Sequence, residues 1–194
     1  MKNKTKIAVV GIGLMGSQHL KAIKNSKKAV LHSIVDINER SRLHAKKFKV
    51  PFYQNSSALI KSNKPDAVIV ATPNQFHEKH TISFLNAKIP VLLEKPISSN
   101  IQKAKKIIAS SRKNKTHLLI GYHRRHNSIS TTVKNKITKG KLGKIVGFPI
   151  LLSTEKGYYG PVEDWWVNQE IYEQFKDHST ENINCKEAIN AVFR

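Results

Sequence analysis

The chain has 194 residues, enough for one full domain and a smaller second one, and 39% of them are hydrophobic, so a buried core is affordable and intrinsic disorder is excluded as the default. A single cysteine, Cys185, excludes a disulfide framework and a cysteine-rich metal site. The formal net charge of +21 is carried mainly by lysine, 28 of the 34 basic residues, and it is uneven: residues 1–150 hold 30 Lys and Arg against 5 Asp and Glu, residues 151–194 hold 4 against 8.

A basic balance of this size attracts nucleic acid through counterion release. Here the lysines are scattered along the chain, with no arginine cluster and no interleaved aromatic platform. A solvated lysine-rich surface is therefore expected, and no specific nucleic-acid partner. Lys2, Lys4 and Lys6 precede an apolar run from Ile7 to Gly16 that mimics a signal peptide, but no small-residue cleavage site follows. No stretch approaches the roughly 18 apolar residues of a membrane span, so the expectation is a cytoplasmic protein with no membrane partner.

In chain order, Lys6–Val10 is a short apolar run before glycines and reads as a buried strand. Leu14–Ser26 follows as a helix, with Leu14, His19, Leu20 and Ile23 at helical spacing. Val30–Asp36 is a second strand ending in an acid. Glu39–Lys49 is a helix capped by Asn38, Phe52-Tyr53 a short strand, and Ser56–Ser62 a short helix. Asp66–Ala71 is a strand, Asn74–Ala87 a helix beginning after Pro73, and Pro90–Leu93 a strand. Asn100–Asn114 is a helix capped by Asn100, and His117–Gly121 a further strand. Strands alternating with helices over about 120 residues imply an α/β fold with a doubly wound parallel sheet, because each parallel crossover needs a helix. After Gly121 the pattern changes: a helix over His126–Lys139, a turn at Gly140 and Gly143, then a strand over Lys144–Leu152 opening a partial second α+β domain. The expected domains are 1–122, a crossover and first strand in 123–152, and a tail in 153–194.

Gly11-Ile12-Gly13-Leu14-Met15-Gly16 fits the dinucleotide fingerprint G-x-G-x-x-G in its required context, after a strand and opening a helix. Gly11 permits the tight turn, Gly13 lets the backbone approach a pyrophosphate, and Gly16 allows close helix–strand packing. The helix N-terminus offers the amides of its first turn, Leu14 and Met15 included, to the phosphates. Asp36, 20 residues after Gly16 at the end of the second strand, suits the adenosine ribose hydroxyls and repels a 2′-phosphate. NAD is the expected cofactor, with nearby Arg40 leaving NADP open. Thr72-Pro73-Asn74, with His77, follows the strand Asp66–Ala71 and so lies at the ligand-binding edge of an open α/β sheet. His77-x-x-His80 has no third ligand at sensible spacing, and no metal is expected. Glu94-Lys95-Pro96 ends the next strand: Lys95 reads as a proton-transfer group, as a hydrogen-bond donor to a substrate oxygen or, alternatively, as half of a surface ion pair. Arg124 and Arg125, after the last strand, read as ligands for an anionic or polyhydroxylated substrate, or as surface charge.

Together these elements resemble the Gfo/Idh/MocA family, which includes glucose–fructose oxidoreductases and inositol dehydrogenases. The resemblance runs in order from about residue 5 to 150, through the Gly-rich turn, Asp36, Ala71-Thr72-Pro73-Asn74-x-x-His77, Glu94-Lys95-Pro96 and Gly121-Tyr122-x-Arg124-Arg125. It implies a nicotinamide-dependent oxidoreductase acting on a sugar, cyclitol or other polyol. It also implies that Lys95 assists proton transfer at the reacting hydroxyl, and that Thr72, Asn74, His77 and Glu94 line the nicotinamide–ribose end. Family members continue into an antiparallel second domain that often forms an oligomer interface and carries an Asp-x-x-x-His element whose histidine is the catalytic base. Residues 151–194 do not contain that element, since Asp177 and His178 are adjacent. A truncated or divergent second domain is expected, which leaves a non-catalytic dinucleotide-binding or regulatory module as the alternative to an enzyme.

Overall fold

The computed structural model of the protein describes residues 4–143, Arg124 by its backbone alone. Six strands form one parallel sheet: β1 (Thr5–Val10), β2 (Ala29–Val35), β3 (Phe52–Tyr53), β4 (Ala67–Val70), β5 (Val91–Leu93) and β6 (Leu118–Ile120). Their spatial order is β3-β2-β1-β4-β5-β6. That is the order of the doubly wound dinucleotide-binding fold, in which the winding direction reverses between β1 and β4. The helices are α1 (Leu14–Asn25), α2 (Arg42–Phe48), α3 (Ser56–Ser62), α4 (His77–Asn86), α5 (Ile101–Asn114) and α6 (Ser128–Thr138). The expected strand Lys144–Leu152 and the tail beyond it lie outside the described residues.

The central strands are apolar runs because both faces of the sheet are covered. Successive side chains point to opposite faces. Ala8 and Val10 of β1 join Val68 and Val70 of β4, Val91 and Leu93 of β5, and Leu59, Phe84, Leu85 and Ile107 of α3, α4 and α5. Val9, between them in sequence, joins Ile34, Ile69, Leu20 and Ile23 of α1 and Ala45 of α2 on the other face. Two compact units divide the chain, residues 1–122 and 123–194. The first holds the whole sheet. The described part of the second is a 3-10 turn at His123–His126 and α6, capped by the Asn127 side chain accepting from Ile129 N–H.

Local details differ from the pattern reading at helix ends. The expected helices at Glu39 and Asn74 each begin as a 3-10 turn, Glu39–Ser41 and Asn74–Phe76, before α2 and α4. Asn38 caps the first of these turns through its side chain, which accepts from Arg40 N–H. Lys49, Lys88 and Lys115 take left-handed conformations beyond α2, α4 and α5, with φ of 55°, 58° and 51°, where glycine is the usual residue.

Phe84 is the largest fully buried side chain among the described residues. Its truncation to alanine leaves a cavity between α4 and the sheet, where Leu85 also packs, and is expected to cost about 3–5 kcal/mol. Urea titration followed by circular dichroism should show the midpoint falling accordingly.

Candidate functional site

The site is positioned by strand register. Val10 pairs with Val35 on one side and Val70 on the other, Val70 with Leu93, and Leu93 with Ile120. The residues that follow extend the ladder by one more bond each. Gly11 N–H donates to Val35 O at 2.8 Å, Ala71 N–H to Val10 O at 2.8 Å, Glu94 N–H to Val70 O at 2.9 Å, and Gly121 N–H to Leu93 O at 2.8 Å. Asp36 N–H donates likewise to Tyr53 O at 3.0 Å. The Gly-rich turn, Asp36, the Thr72 loop, Glu94 and Gly121 therefore leave the sheet as one row along its carboxyl edge, centred on the switch between β1 and β4.

The three glycines of the turn meet different surroundings. Gly11 has φ +87°, and a Cβ there would lie 2.9 Å from Ala71 O and from Thr72 N. A Cβ on Gly16 would lie 1.9 Å from Gly11 O, so α1 sits hard against the turn that precedes it. A Cβ on Gly13 would meet nothing within 4 Å. Gly13 is also the N-cap of α1 and provides no side-chain cap, so the first-turn amides face outward without an intrahelical acceptor. Leu14 beside them is 65% exposed, and Met15 is half-buried.

Asp36 is half-buried at the tip of β2. Its Oδ2 accepts from the Ile12 amide at 2.7 Å and from Ser41 Oγ at 3.0 Å, and its Oδ1 accepts from the Asn38 amide at 2.8 Å. The carboxylate thus pins the Gly-rich turn to the start of the 3-10 turn that leads into α2. Nearby, Arg42 pairs with Glu39 at 2.8 Å and lies over the Phe52 ring at 4.7 Å. Arg40 is exposed.

Among the described residues, Thr72 Oγ1 is one of two buried side-chain polar atoms without a hydrogen-bond partner; Thr81 Oγ1, on α4, is the other. Pro73 is exposed and Asn74 half-buried. His77, read from the sequence as a lining residue, is only 1% exposed. Its Nε2 lies 2.8 Å from Thr72 O and its Nδ1 2.9 Å from Pro96 O. The ring therefore ties the loop after β4 to the loop after β5, and its contribution to the edge is made through those two backbones. His80 belongs to another set of contacts: its Nδ1 lies 2.7 Å from Ser56 Oγ. Burial pushes its pKa below the usual histidine value, with Lys79 and His77 adding to the effect, so the neutral ring is favoured beside the Ser56 hydroxyl. Among the described residues no three His, Cys, Asp or Glu side chains converge on a metal-sized space.

Glu94 is 5% exposed at the end of β5. Its Oε1 accepts from His19 Nε2 at 2.8 Å, and its Oε2 from the Lys95 amide at 3.2 Å. A Cβ on Gly121 would come within 3.2 to 3.3 Å of the same carboxylate. Lys95 itself is exposed, and its peptide bond to Pro96 is cis. His19 enters the site unannounced by the sequence pattern, which counts it only as one position of a helical face. The available signal is its place on α1 three residues beyond Gly16, one turn from the Gly-rich loop. Arg125, half-buried, and Arg124, whose side chain lies outside the described residues, belong to the second unit.

Residues 5–122 match the family model described as oxidoreductase family, NAD-binding Rossmann fold, GFO_IDH_MocA. The chain belongs to the Gfo/Idh/MocA oxidoreductase family. An inositol 2-dehydrogenase of Corynebacterium glutamicum is 27% identical over 150 residues, which are 75% of this chain and 44% of that protein. A myo-inositol 2-dehydrogenase of Thermotoga maritima is 30% identical over 142 residues, 72% of this chain and 42% of that one. The scyllo-inositol dehydrogenase of Lactobacillus casei, solved with NAD(H) and scyllo-inositol, superposes with a TM-score of 0.69 at 24% identity, over 73% of this chain and 43% of that one. The chain thus spans half or less of the length of the relatives it matches. As a Gfo/Idh/MocA chain it has the family's parallel Rossmann sheet. No helix among the described residues is long and apolar enough to cross a membrane.

Within this family fold the glycines are separable by stability. Gly16→Ala drives a methyl group into Gly11 O and should destabilise by about 3 kcal/mol, the upper part of the range for overpacking. Gly13→Val, pointing into open space, should leave the melting temperature nearly unchanged. Thermal denaturation of both variants checks the contrast.

Proposed function

We propose that this chain is the dinucleotide-binding half of a nicotinamide-dependent dehydrogenase whose substrate is a cyclitol, sugar or related polyol. The observation that carries the reading is the single row formed at the sheet's carboxyl edge by the Gly-rich turn, Asp36, Thr72 and Glu94-Lys95. Two further features fit the cofactor: the open space over Gly13, where a pyrophosphate would lie, and the buried Thr72 hydroxyl that awaits a partner. In this reading Gly11, Gly13, Leu14, Met15 and Gly16 hold the pyrophosphate. Asp36 accepts from the adenosine ribose diol, and Thr72, Pro73, Asn74 and Glu94, with His77 behind them, frame the nicotinamide end. When bound, the nicotinamide accepts or donates the hydride, while the protein supplies orientation and charge. Lys95, exposed at the strand end, holds or passes the proton of the reacting hydroxyl. Arg124 and Arg125 are the candidates for substrate hydroxyls, and the expected compartment is the cytoplasm.

The half-buried carboxylate of Asp36 repels a 2′-phosphate, so NAD should bind more tightly than NADP, and Asp36→Ser should narrow the gap. Gly13→Val should weaken both cofactors with the fold intact, because its side chain fills the pyrophosphate space. Titration calorimetry measures these affinities; equal affinity for the two cofactors in the unmutated chain would contradict the assignment of Asp36.

A dinucleotide-binding module without turnover is the second reading, favoured by the absence of an Asp-x-x-x-His element from this sequence. Without a base in that position, removal of the hydroxyl proton is poorly organised relative to hydride transfer, and orientation accounts for several powers of ten in rate. NADH formation with a panel of inositols and sugars should therefore run well below about 1 per second, the lower end of ordinary enzyme turnover, although NAD binds. Lys95→Ala should reduce whatever rate remains by roughly 100-fold, as expected for loss of a general acid–base group, and leave NAD affinity within about twofold. A rate of 1 per second or faster would establish the enzyme reading and direct attention to His178.

A further inference from the structure

We infer that His19 is a positioning residue for the nicotinamide end of the site, acting through Glu94. The inference rests on the proposed cofactor assignment and adds a residue to it. Glu94 leaves β5 with its carboxylate 5% exposed, and a buried carboxylate is held in place by the groups that compensate its charge. His19 Nε2, 2.8 Å from Oε1, is such a group, and its own side chain is 19% exposed. Gly121 completes the enclosure: its missing side chain leaves just enough room, since a Cβ would touch the carboxylate at 3.2 Å. Three elements thus converge on one acid: α1, which opens at the Gly-rich turn, the end of β5, and the end of β6.

The pair links the two ends of the proposed dinucleotide site. α1 is fixed independently of it, by Leu20 and Ile23 in the core and by Gly16 against Gly11 O. Losing His19 therefore leaves the pyrophosphate end in place. The Glu94 carboxylate then loses one of the groups that hold it, and the shift it makes is passed to the Leu93–Pro96 strand end, since the Lys95 amide is bound to the same carboxylate at 3.2 Å. The effect should fall on the part of the cofactor that lies over β5.

The test compares NAD with ADP-ribose, which shares the adenosine, pyrophosphate and second ribose but lacks the nicotinamide ring. Affinities are measured by calorimetry on the full 194-residue chain, with thermal denaturation as a control for folding. His19→Ala is expected to weaken NAD roughly tenfold, the scale of one hydrogen bond to a buried charge, and to leave ADP-ribose within about twofold. His19→Gln, whose amide can still donate to Oε1, should recover most of the loss. If His19→Ala does not fold, His19→Asn, whose shorter amide falls short of Glu94, takes its place with the same expectation. A NAD to ADP-ribose affinity ratio that stays unchanged in the variant, whether both affinities fall together or neither moves, overturns the inference alone. An unmutated chain that binds neither ligand overturns the cofactor assignment and this inference with it.

Discussion

Everything at the carboxyl edge depends on the contact between β1 and β4. These strands are neighbours in space, although two strands and three helices separate them in sequence, and their pairing is carried past the last strand residue by the bond from Ala71 N–H to Val10 O. Because the backbones run so close, Gly11 can hold no side chain: a Cβ would strike Ala71 O and Thr72 N at 2.9 Å. The chain leaves β1 toward one face of the sheet and β4 toward the other, so a crevice opens where the two directions part. The Gly-rich turn and the Thr72 loop are its two walls, and neither would be placed without that pairing.

The loops around the crevice are fastened by polar side chains with little access to water. Asp36 fastens the Gly-rich turn to the segment before α2, His77 the loop after β4 to the loop after β5, and Glu94 the end of β5 to α1. Loops supply no ladder of their own, so a backbone held in one geometry needs such ties. Buried polar groups that are fully partnered make a site rigid. The unpartnered Thr72 hydroxyl stands out against this background, one of two such atoms in the described residues.

Most of the fold was legible because two-sided burial writes a strong signal. Val68, Ile69 and Val70, β-branched and flanked by Pro65 and Pro73, read as a short strand beneath two layers, and Asn100 ahead of Ile101 caps α5 by accepting from Gln102 and Lys103 amides. Helix ends were less legible. Lys49, Lys88 and Lys115 occupy left-handed positions where a glycine would have announced the stop, so the reading carried the helix after Asn38 one residue too far. The places of the Gly-rich turn, between β1 and α1, and of Asp36, directly after β2, were legible because strand, turn and helix follow one another there in a fixed order. His19 was not, because its meaning depends on an acid 75 residues away, and single-sequence periodicity carries no information about such a pair. His77 was legible as important but not as buried, since a loop residue near a site is as easily a tie as a ligand.

Asp36 serves two masters. The carboxylate that would choose between cofactors also receives the Ile12 amide at 2.7 Å, in the middle of the turn that would hold their phosphates. On the proposed assignment, discrimination and loop order therefore share the same two oxygen atoms. A lineage drifting toward the phosphorylated cofactor could not simply discard the acid: it would need a new acceptor for the Ile12 amide at the same step, or the turn would loosen as the preference changed. On the proposed assignment, any change of specificity made at Asp36 is therefore also a change in the order of the turn, and the two properties cannot be altered separately at this position.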